Sequence, residues 1–350
     1  MRKVVFLGDT LAAGQAVGVQ RFAREILNRM DQMNLPFDAE VLVPRSAKAC
    51  LVFQNIRVVQ YGGIDNAFVW RQICFPEYVK KRHAIAVDLT LGLPILKCDV
   101  VCVHDCIRES FPEDFTTDQE KLKRRGYLLR VKKVLKRAEQ IITVSQTSRN
   151  ALMSCYHLPP ERIAVISNGW QHFLQVQPDN GILPQLQLST GNYFFSLGSR
   201  LKHKNFEWVV NAAKQNPQET FVVTGRTDLS RYQVMDGMLK NLIFTGYLTD
   251  SKIKALMQHC KAFVHPSLYE GFGIPPMEAL GCGSPILISN ASCLPEIYGN
   301  AARYFNPQKY DGIDMTELMQ QPVGPPGPTL ERYSWEKSAE KMCGVVARLC

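Results

Sequence analysis

A chain of 350 residues is long for a single hydrophobic core, and a composition of 46% hydrophobic and 21% charged residues excludes a disordered or low-complexity protein. No apolar run reaches the roughly 18 residues of a spanning helix, and the apolar start after Lys3 is too short for a secretory leader, so a cytoplasmic protein is expected. Eleven cysteines without a CxxC pair argue against a disulfide framework, while the net charge of +9 asks for an anionic partner.

In chain order, strand-like apolar runs alternate with helical patterns. Strands are predicted at 4–7, 39–43, 100–104, 141–144 and 163–166, with a helix from 19 to about 33 after a loop containing Gly14 and Gly18. Patterning lapses over 171–191, rich in Pro and Gly, and a second series follows. Its strands are predicted at 193–197, 220–224, 242–245, 262–265 and 285–289, and its helices at 205–215, 250–258, 275–282 and 294–298. A Pro-rich break at 322–328 precedes a last amphipathic helix, 335–349. Such alternation implies parallel sheets with crossover helices, an α/β fold of two doubly wound domains with a cleft between them. The boundaries read as 1–172 for the first domain, 173–191 for a linker, 192–328 for the second domain and 329–350 for the closing helix. There is no internal repeat, and the first loop lacks GxGxxG, which disfavours a dinucleotide-dependent dehydrogenase.

Two clusters invite functional readings. Cys98, Cys102, His104 and Cys106 could suggest a metal, but 99–104 reads as a buried strand in which Cys serves as a small hydrophobe, so no metal is expected. From Lys121 to Arg137 there are nine Lys or Arg residues, with Leu128, Val131 and Leu135 at helical spacing. That pattern fits either an anionic membrane surface or a solvated helix packed on its own domain. No nucleic-acid motif accompanies the charge.

The most informative segment runs from Tyr269 to Glu278. Glu270 and Glu278 are separated by seven residues that include Gly271-Phe272-Gly273-Ile274 and a proline pair. Proline at a first turn is pre-organised for a helix, so Glu270 should precede the helix and Glu278 lie within it. Backbone N–H groups near Gly273 and Ile274 would then face outward at a positive helix end, where a phosphate can bind. Upstream, Arg200 and Lys204 stand where the 193–197 strand passes into the next helix, a fork and a point charge suited to phosphate oxygens.

Taken with Gly198-Ser199-Arg200, His265-Pro266-Ser267, Gly281-Cys282-Gly283-Ser284-Pro285 and, in the first half, Val103-His104-Asp105 and Asn168-Gly169, these motifs resemble the retaining GT-B glycosyltransferases of family four. The resemblance spans nearly the whole chain and is similar in pattern to bacterial mannosyltransferases of surface-polysaccharide assembly. It implies two Rossmann-like domains facing across a cleft, with the last helix crossing back to the first. It further implies that Arg200 and Lys204 bind the diphosphate, Glu270 the donor sugar, Gly271, Phe272, Gly273 and Ile274 the sugar and phosphates through backbone N–H groups, and Glu278 the ribose. Tyr247 and Leu248 would meet the base, Gly18 would let backbone approach a phosphate, and His104 and Asp105 would serve the acceptor, with His104 also facing the donor sugar. Asp105 could equally cap its own loop, and His83, His157, His172, His203 and His259 are read as structural.

The expected activity is transfer of a hexose, first mannose from GDP-mannose, to a glycan or lipid-linked acceptor hydroxyl. No cofactor is expected beyond the nucleotide-sugar co-substrate. A metal held by Asp-x-Asp, common in the other major glycosyltransferase fold, has no such triplet here to hold it. A sugar-nucleotide epimerase of the same fold and a non-catalytic glycan-binding protein are the alternative readings.

Overall fold

The computed structural model describes residues 2–12, 18–47, 51–225 and 239–350; Gly14 and Cys50 lie outside the described residues. The chain divides into two compact units, one of Met1–Gly169 with Ser334–Cys350, the other Trp170–Tyr333.

In the first unit, β1 (Lys3–Leu7), β2 (Asp38–Pro44), β3 (Arg57–Tyr61), β4 (Ile85–Asp88), β5 (Val100–Cys102), β6 (Gln140–Thr143) and β7 (Ile163–Val165) form one sheet in the order β3-β2-β1-β4-β5-β6-β7. Every pairing is parallel. Val4, Val5, Phe6 and Leu7 are all buried, as a parallel strand covered on both faces requires. The strand order reverses between β1 and β4, the point at which open α/β sheets bind ligands outside the carboxyl ends of their strands. Patterning alone does not single out β3, β4 or the helix Ala67–Lys81 between them, which carries Pro76 inside it. That helix buries Trp70, Phe75 and Val79 and follows no simple amphipathic stripe.

The helix Val19–Met30 buries Phe22, Ala23, Ile26, Leu27 and Met30 along one face. The last helix, Trp335–Ala347, lies against it, with the Phe22 and Trp335 rings 6.1 Å apart and Arg29 3.2 Å from Glu336. Ser334 caps that helix by accepting from the Lys337 N–H, so the chain returns to its first unit as expected.

The second unit holds β8 (Tyr193–Leu197), β9 (Thr220–Thr224), β10 (Leu242–Gly246), β11 (Ala262–His265), β12 (Ile286–Ser289) and β13 (Arg303–Phe305), all parallel, in the order β10-β9-β8-β11-β12-β13. Stacked pairs Phe194–Phe221 and Trp208–Phe305 anchor its core. Here the order reverses between β8 and β11. Residues 173–191, expected as a linker, lie within this unit; Gln171–Gln175 forms a 3-10 turn and Ile182–Gln185 a short helix. Among the described residues, no helix is long and apolar enough to cross a membrane.

Candidate functional site

The loops that leave β8 and β11 flank the reversal point of the second sheet, and they carry Lys204 and Glu270. Lys204 ends a 3-10 turn, Lys202–Lys204, and Asn205 then takes a left-handed conformation that opens the helix Phe206–Gln215. The Asn205 amide fixes this bend by donating to the Pro266 and Pro307 carbonyls at 3.1 and 2.8 Å, while its oxygen accepts from the Tyr310 hydroxyl. The Leu268 N–H donates to the His203 carbonyl at 2.7 Å, which ties the β11 loop to the β8 loop. Consequently the Lys204 ammonium reaches the Glu270 carboxylate at 2.6 Å.

His265, the last residue of β11, places Nε2 2.9 Å from the same Glu270 oxygen. Burial by itself would raise the Glu270 carboxyl, but the Lys204 charge and the His265 hydrogen bond outweigh it and hold the group well below the usual carboxylate range. Burial pushes His265 down despite its carboxylate partner, so a neutral ring donates Nε2–H to an ionised Glu270. Ser292 clips the Glu270 backbone twice, accepting from its N–H and donating to its carbonyl.

The helix Ile274–Gly281 starts within one residue of the predicted position. Gly273 caps it at φ 80°, and a Cβ there would come within 2.7 Å of Leu294. Tyr298, fully buried, donates its hydroxyl to the Gly273 carbonyl. Since Pro275 and Pro276 have no N–H, the amides at this helix start are those of Gly273 and Ile274. Phe272 packs edge-on to Tyr333 at 5.2 Å, and Gly271 is buried beside it. Glu278, buried in the helix, lies 2.9 Å from His172 Nε2.

Lys204, Glu270, the Gly271–Ile274 turn and Glu278 therefore belong to one local assembly around β8 and β11. Arg200 is exposed in the β8 loop. Tyr247 and Leu248 follow β10 at the edge of the sheet, with Tyr247 83% exposed. The sequence reading gives two supporting residues, Ser292 and His172, no part in the site, and a third, His265, enters it only within the His265-Pro266-Ser267 motif, without a role. His265 stood at a legible strand end, but nothing local marked His172, whose partner is 106 residues away.

Gly18, His104 and Asp105 belong to the first unit. Gly18, at φ 54°, caps the helix Val19–Met30, and among the described residues nothing lies within 4 Å of where a Cβ would project. His104 is buried after β5, its ring edge-on to Phe22 at 4.9 Å and Nε2 3.5 Å from Cys102 Sγ. Burial pushes its pKa down to about 4. Asp105 accepts from the Ile107 N–H at 3.0 Å, as a loop cap would. Cys98, Cys102 and Cys106 are buried thiols, and burial raises each of them. Among the described residues, no three His, Cys, Asp or Glu side chains are grouped to hold a metal.

The helix Asp118–Arg137 uses Tyr127, Val131, Val134 and Leu135 to pack on its own unit, and Arg108 covers the Tyr127 ring at 4.1 Å. Leu122 and Leu129 remain exposed beside its bases.

Comparison with known proteins places both halves of the chain among glycosyltransferases. Residues 17–171 match the family model described as Glycosyltransferase Family 4, and residues 182–320 that described as Glycosyl transferases group 1. The O-antigen chain mannosyltransferase RfbU of Salmonella typhimurium is 28% identical over 61% of this chain and 58% of its own length. The serotype-specific mannosyltransferase WbdA of Escherichia coli is 32% identical over 53% of this chain and 24% of its own. The chain thus spans about half or less of the length of these relatives. Anabaena HepE, solved in complex with UDP and glucose, shares the fold at a TM-score of 0.69 and 18% identity, over 99% of this chain and 100% of that one. With one family covering each half and a Rossmann-like sheet in each unit, the chain belongs to the GT-B glycosyltransferases of family 4 and group 1.

Proposed function

We propose that the protein is a retaining hexosyltransferase that moves mannose from GDP-mannose to the hydroxyl of a glycan or lipid-linked acceptor. The observation that carries this reading is the Lys204–Glu270–His265 cluster at the reversal point of the second sheet, beside the Gly273 helix start. The mannose and polysaccharide elements rest on the names of the two relatives reported above, an O-antigen chain mannosyltransferase and a serotype-specific mannosyltransferase.

In this mechanism the bond from the anomeric carbon to the diphosphate oxygen breaks and leaves an oxocarbenium-like sugar. The acceptor oxygen bonds to the same carbon on the same face, and its proton passes to the departing phosphate oxygen. Lys204 and Arg200 stabilise the developing diphosphate charge, helped by the Gly271, Phe272, Gly273 and Ile274 backbone. An ammonium has three donors, so Lys204 can hold Glu270 and a phosphate oxygen together. Glu270, kept ionised, accepts from donor-sugar hydroxyls, and Glu278 accepts from the ribose. We assign Tyr247 and Leu248 to the base, Gly18 to a phosphate contact, and His104 and Asp105 to the acceptor; for Asp105 the loop-capping bond to Ile107 is the competing use.

Incubating the protein with GDP-mannose, UDP-glucose and a panel of mannose-containing acceptors tests the proposal. Transfer from GDP-mannose with retained anomeric configuration, undiminished in EDTA, is expected. Formation of an epimer without acceptor would instead favour the epimerase, and no turnover of any donor would favour a binding protein.

The helix Asp118–Arg137 supports a second element of the proposal, docking to an anionic membrane surface through its bases with Leu122 and Leu129 inserted. Cosedimentation with phosphatidylglycerol vesicles, lost in Leu122→Glu/Leu129→Glu, is the expected result.

A further inference from the structure

Glu278 is buried, and an ionised carboxylate out of water needs partners to hold it there. One is His172, whose Nε2 lies 2.9 Å from Glu278 Oε1 with both side chains about nine-tenths buried. A carboxylate oxygen only accepts, so His172 donates from Nε2 and holds one face of Glu278.

The turn that presents His172 is held from three sides. Before it, Trp170 donates its indole N–H to the Leu330 carbonyl and lies so close to Gly281, in the Glu278 helix, that a Cβ there would come within 2.3 Å of the ring. Beside it, Gln171 donates to the Tyr333 carbonyl at 3.3 Å. Beneath it, the buried Lys254 ammonium donates to the carbonyls of Phe173, Leu174 and Val176 at 2.9, 3.1 and 2.8 Å. A buried lysine spent on the carbonyls of a five-residue turn is costly unless the turn must hold its place.

We infer that His172 is a positioning residue for nucleotide recognition, fixing the Glu278 carboxylate so that its second oxygen accepts from the ribose hydroxyls of the nucleoside diphosphate. The inference rests on the proposed role of Glu278 and extends it to a residue outside the Glu270–Glu278 segment. Geometry carries it: a turn held from three sides and a defined donor 2.9 Å from the carboxylate. His172 touches no reacting atom, and its effect is confined to how well the ribose is held.

Calorimetric titration of the full-length protein with GDP and UDP, and with their 2′,3′-dideoxy forms, tests this, with melting temperature followed in parallel. In His172→Ala, affinity for the better ribonucleotide should fall about tenfold, as loss of a hydrogen bond to a charged group predicts. Affinity for its dideoxy form should change less than about twofold, because that ligand makes no demand on Glu278. His172→Gln, whose amide nitrogen can occupy the place of Nε2, should restore most of the ribonucleotide affinity. Equal losses for both ligands, no loss for either, or failure of Gln to rescue would each overturn the inference. A wild-type protein that binds neither GDP nor UDP would overturn the donor reading itself, and the inference with it. With steady-state donor titration, the same variant should raise KM for the nucleotide sugar with kcat nearly unchanged.

Discussion

The Lys204 ammonium and the Glu270 carboxylate meet at 2.6 Å although they come from loops on two different strands, β8 and β11. The pair ties the proposed site to the fold: the cation proposed for the diphosphate is also the main counter-charge of a buried acid. Under the proposed function, stability and turnover are coupled at this contact.

Lys204→Ala should show that coupling. With the ammonium gone, Glu270 keeps, among the described residues, only His265 as a side-chain donor to Oε1, and a buried charge left short of partners costs about 1–3 kcal/mol. Turnover should fall about 10²–10³-fold, the loss typical of removing one electrostatic stabiliser. Urea unfolding and initial-rate assays on the same preparation would check both. A variant with wild-type kcat would show that Lys204 has no part in the chemistry. Glu270→Gln should lose activity comparably while losing less stability, since it removes the buried charge.

Much of this was legible because its signals are local. The Gly271–Gly273 turn, the proline pair and the spacing of Glu270 and Glu278 announce a loop running into a helix, and the helix begins at Ile274. The alternation of strands likewise exposes both sheets. What stays hidden depends on contacts distant in sequence. His172 is indistinguishable from any polar residue near a turn until the fold brings Glu278 to it. β4 is a four-residue strand, and Ala67–Lys81 carries a proline and buried residues around much of its circumference, so neither shows the period that sequence reading relies on.

Two buried groups predict the acid limb of stability. His104 has its pKa lowered by burial from 6.5 to about 4, so in that interval the unfolded chain binds a proton that the folded chain refuses. Stability is full above pH 6.5 and declines as pH falls through the interval. Glu270, also depressed, adds a second loss from about pH 4.5 downward, where the unfolded carboxyl protonates while the folded one stays ionised. Urea midpoints measured from pH 8 to pH 3 should flatten above pH 4 in His104→Gln and below pH 4.5 in Glu270→Gln. A midpoint independent of pH in the wild type would contradict both assignments.

Gly273→Ala should separate the helix start from its neighbours. Two penalties combine: φ 80° is strained for an L-residue, and the new methyl would sit 2.7 Å from Leu294 Cδ2. A loss of roughly 1–3 kcal/mol is expected. Nucleotide affinity should fall with it, because the backbone amides of Gly273 and Ile274 turn with the cap. Retained affinity at reduced stability would show that those amides do not contact the ligand.

Lys254→Met tests the foundation of the His172 turn. Methionine preserves the apolar stem against Phe173 but supplies no donor to the carbonyls of Phe173, Leu174 and Val176. Opposing effects are at work, since removing a buried ammonium also removes its desolvation cost. Unpaired carbonyls should dominate, because water can reach the Leu174 edge of the turn, where that side chain is half exposed, but not the Phe173 carbonyl, whose residue is buried. The net cost should be about 1–3 kcal/mol. As the turn loosens, His172 loses its fixed approach to Glu278, so ribonucleotide affinity should fall while the dideoxy form binds as before. Urea unfolding and calorimetric titration would report the two effects separately. If Lys254→Met unfolds and binds like the wild type, the lysine does not hold this turn, and Trp170 and Gln171 must hold it without help.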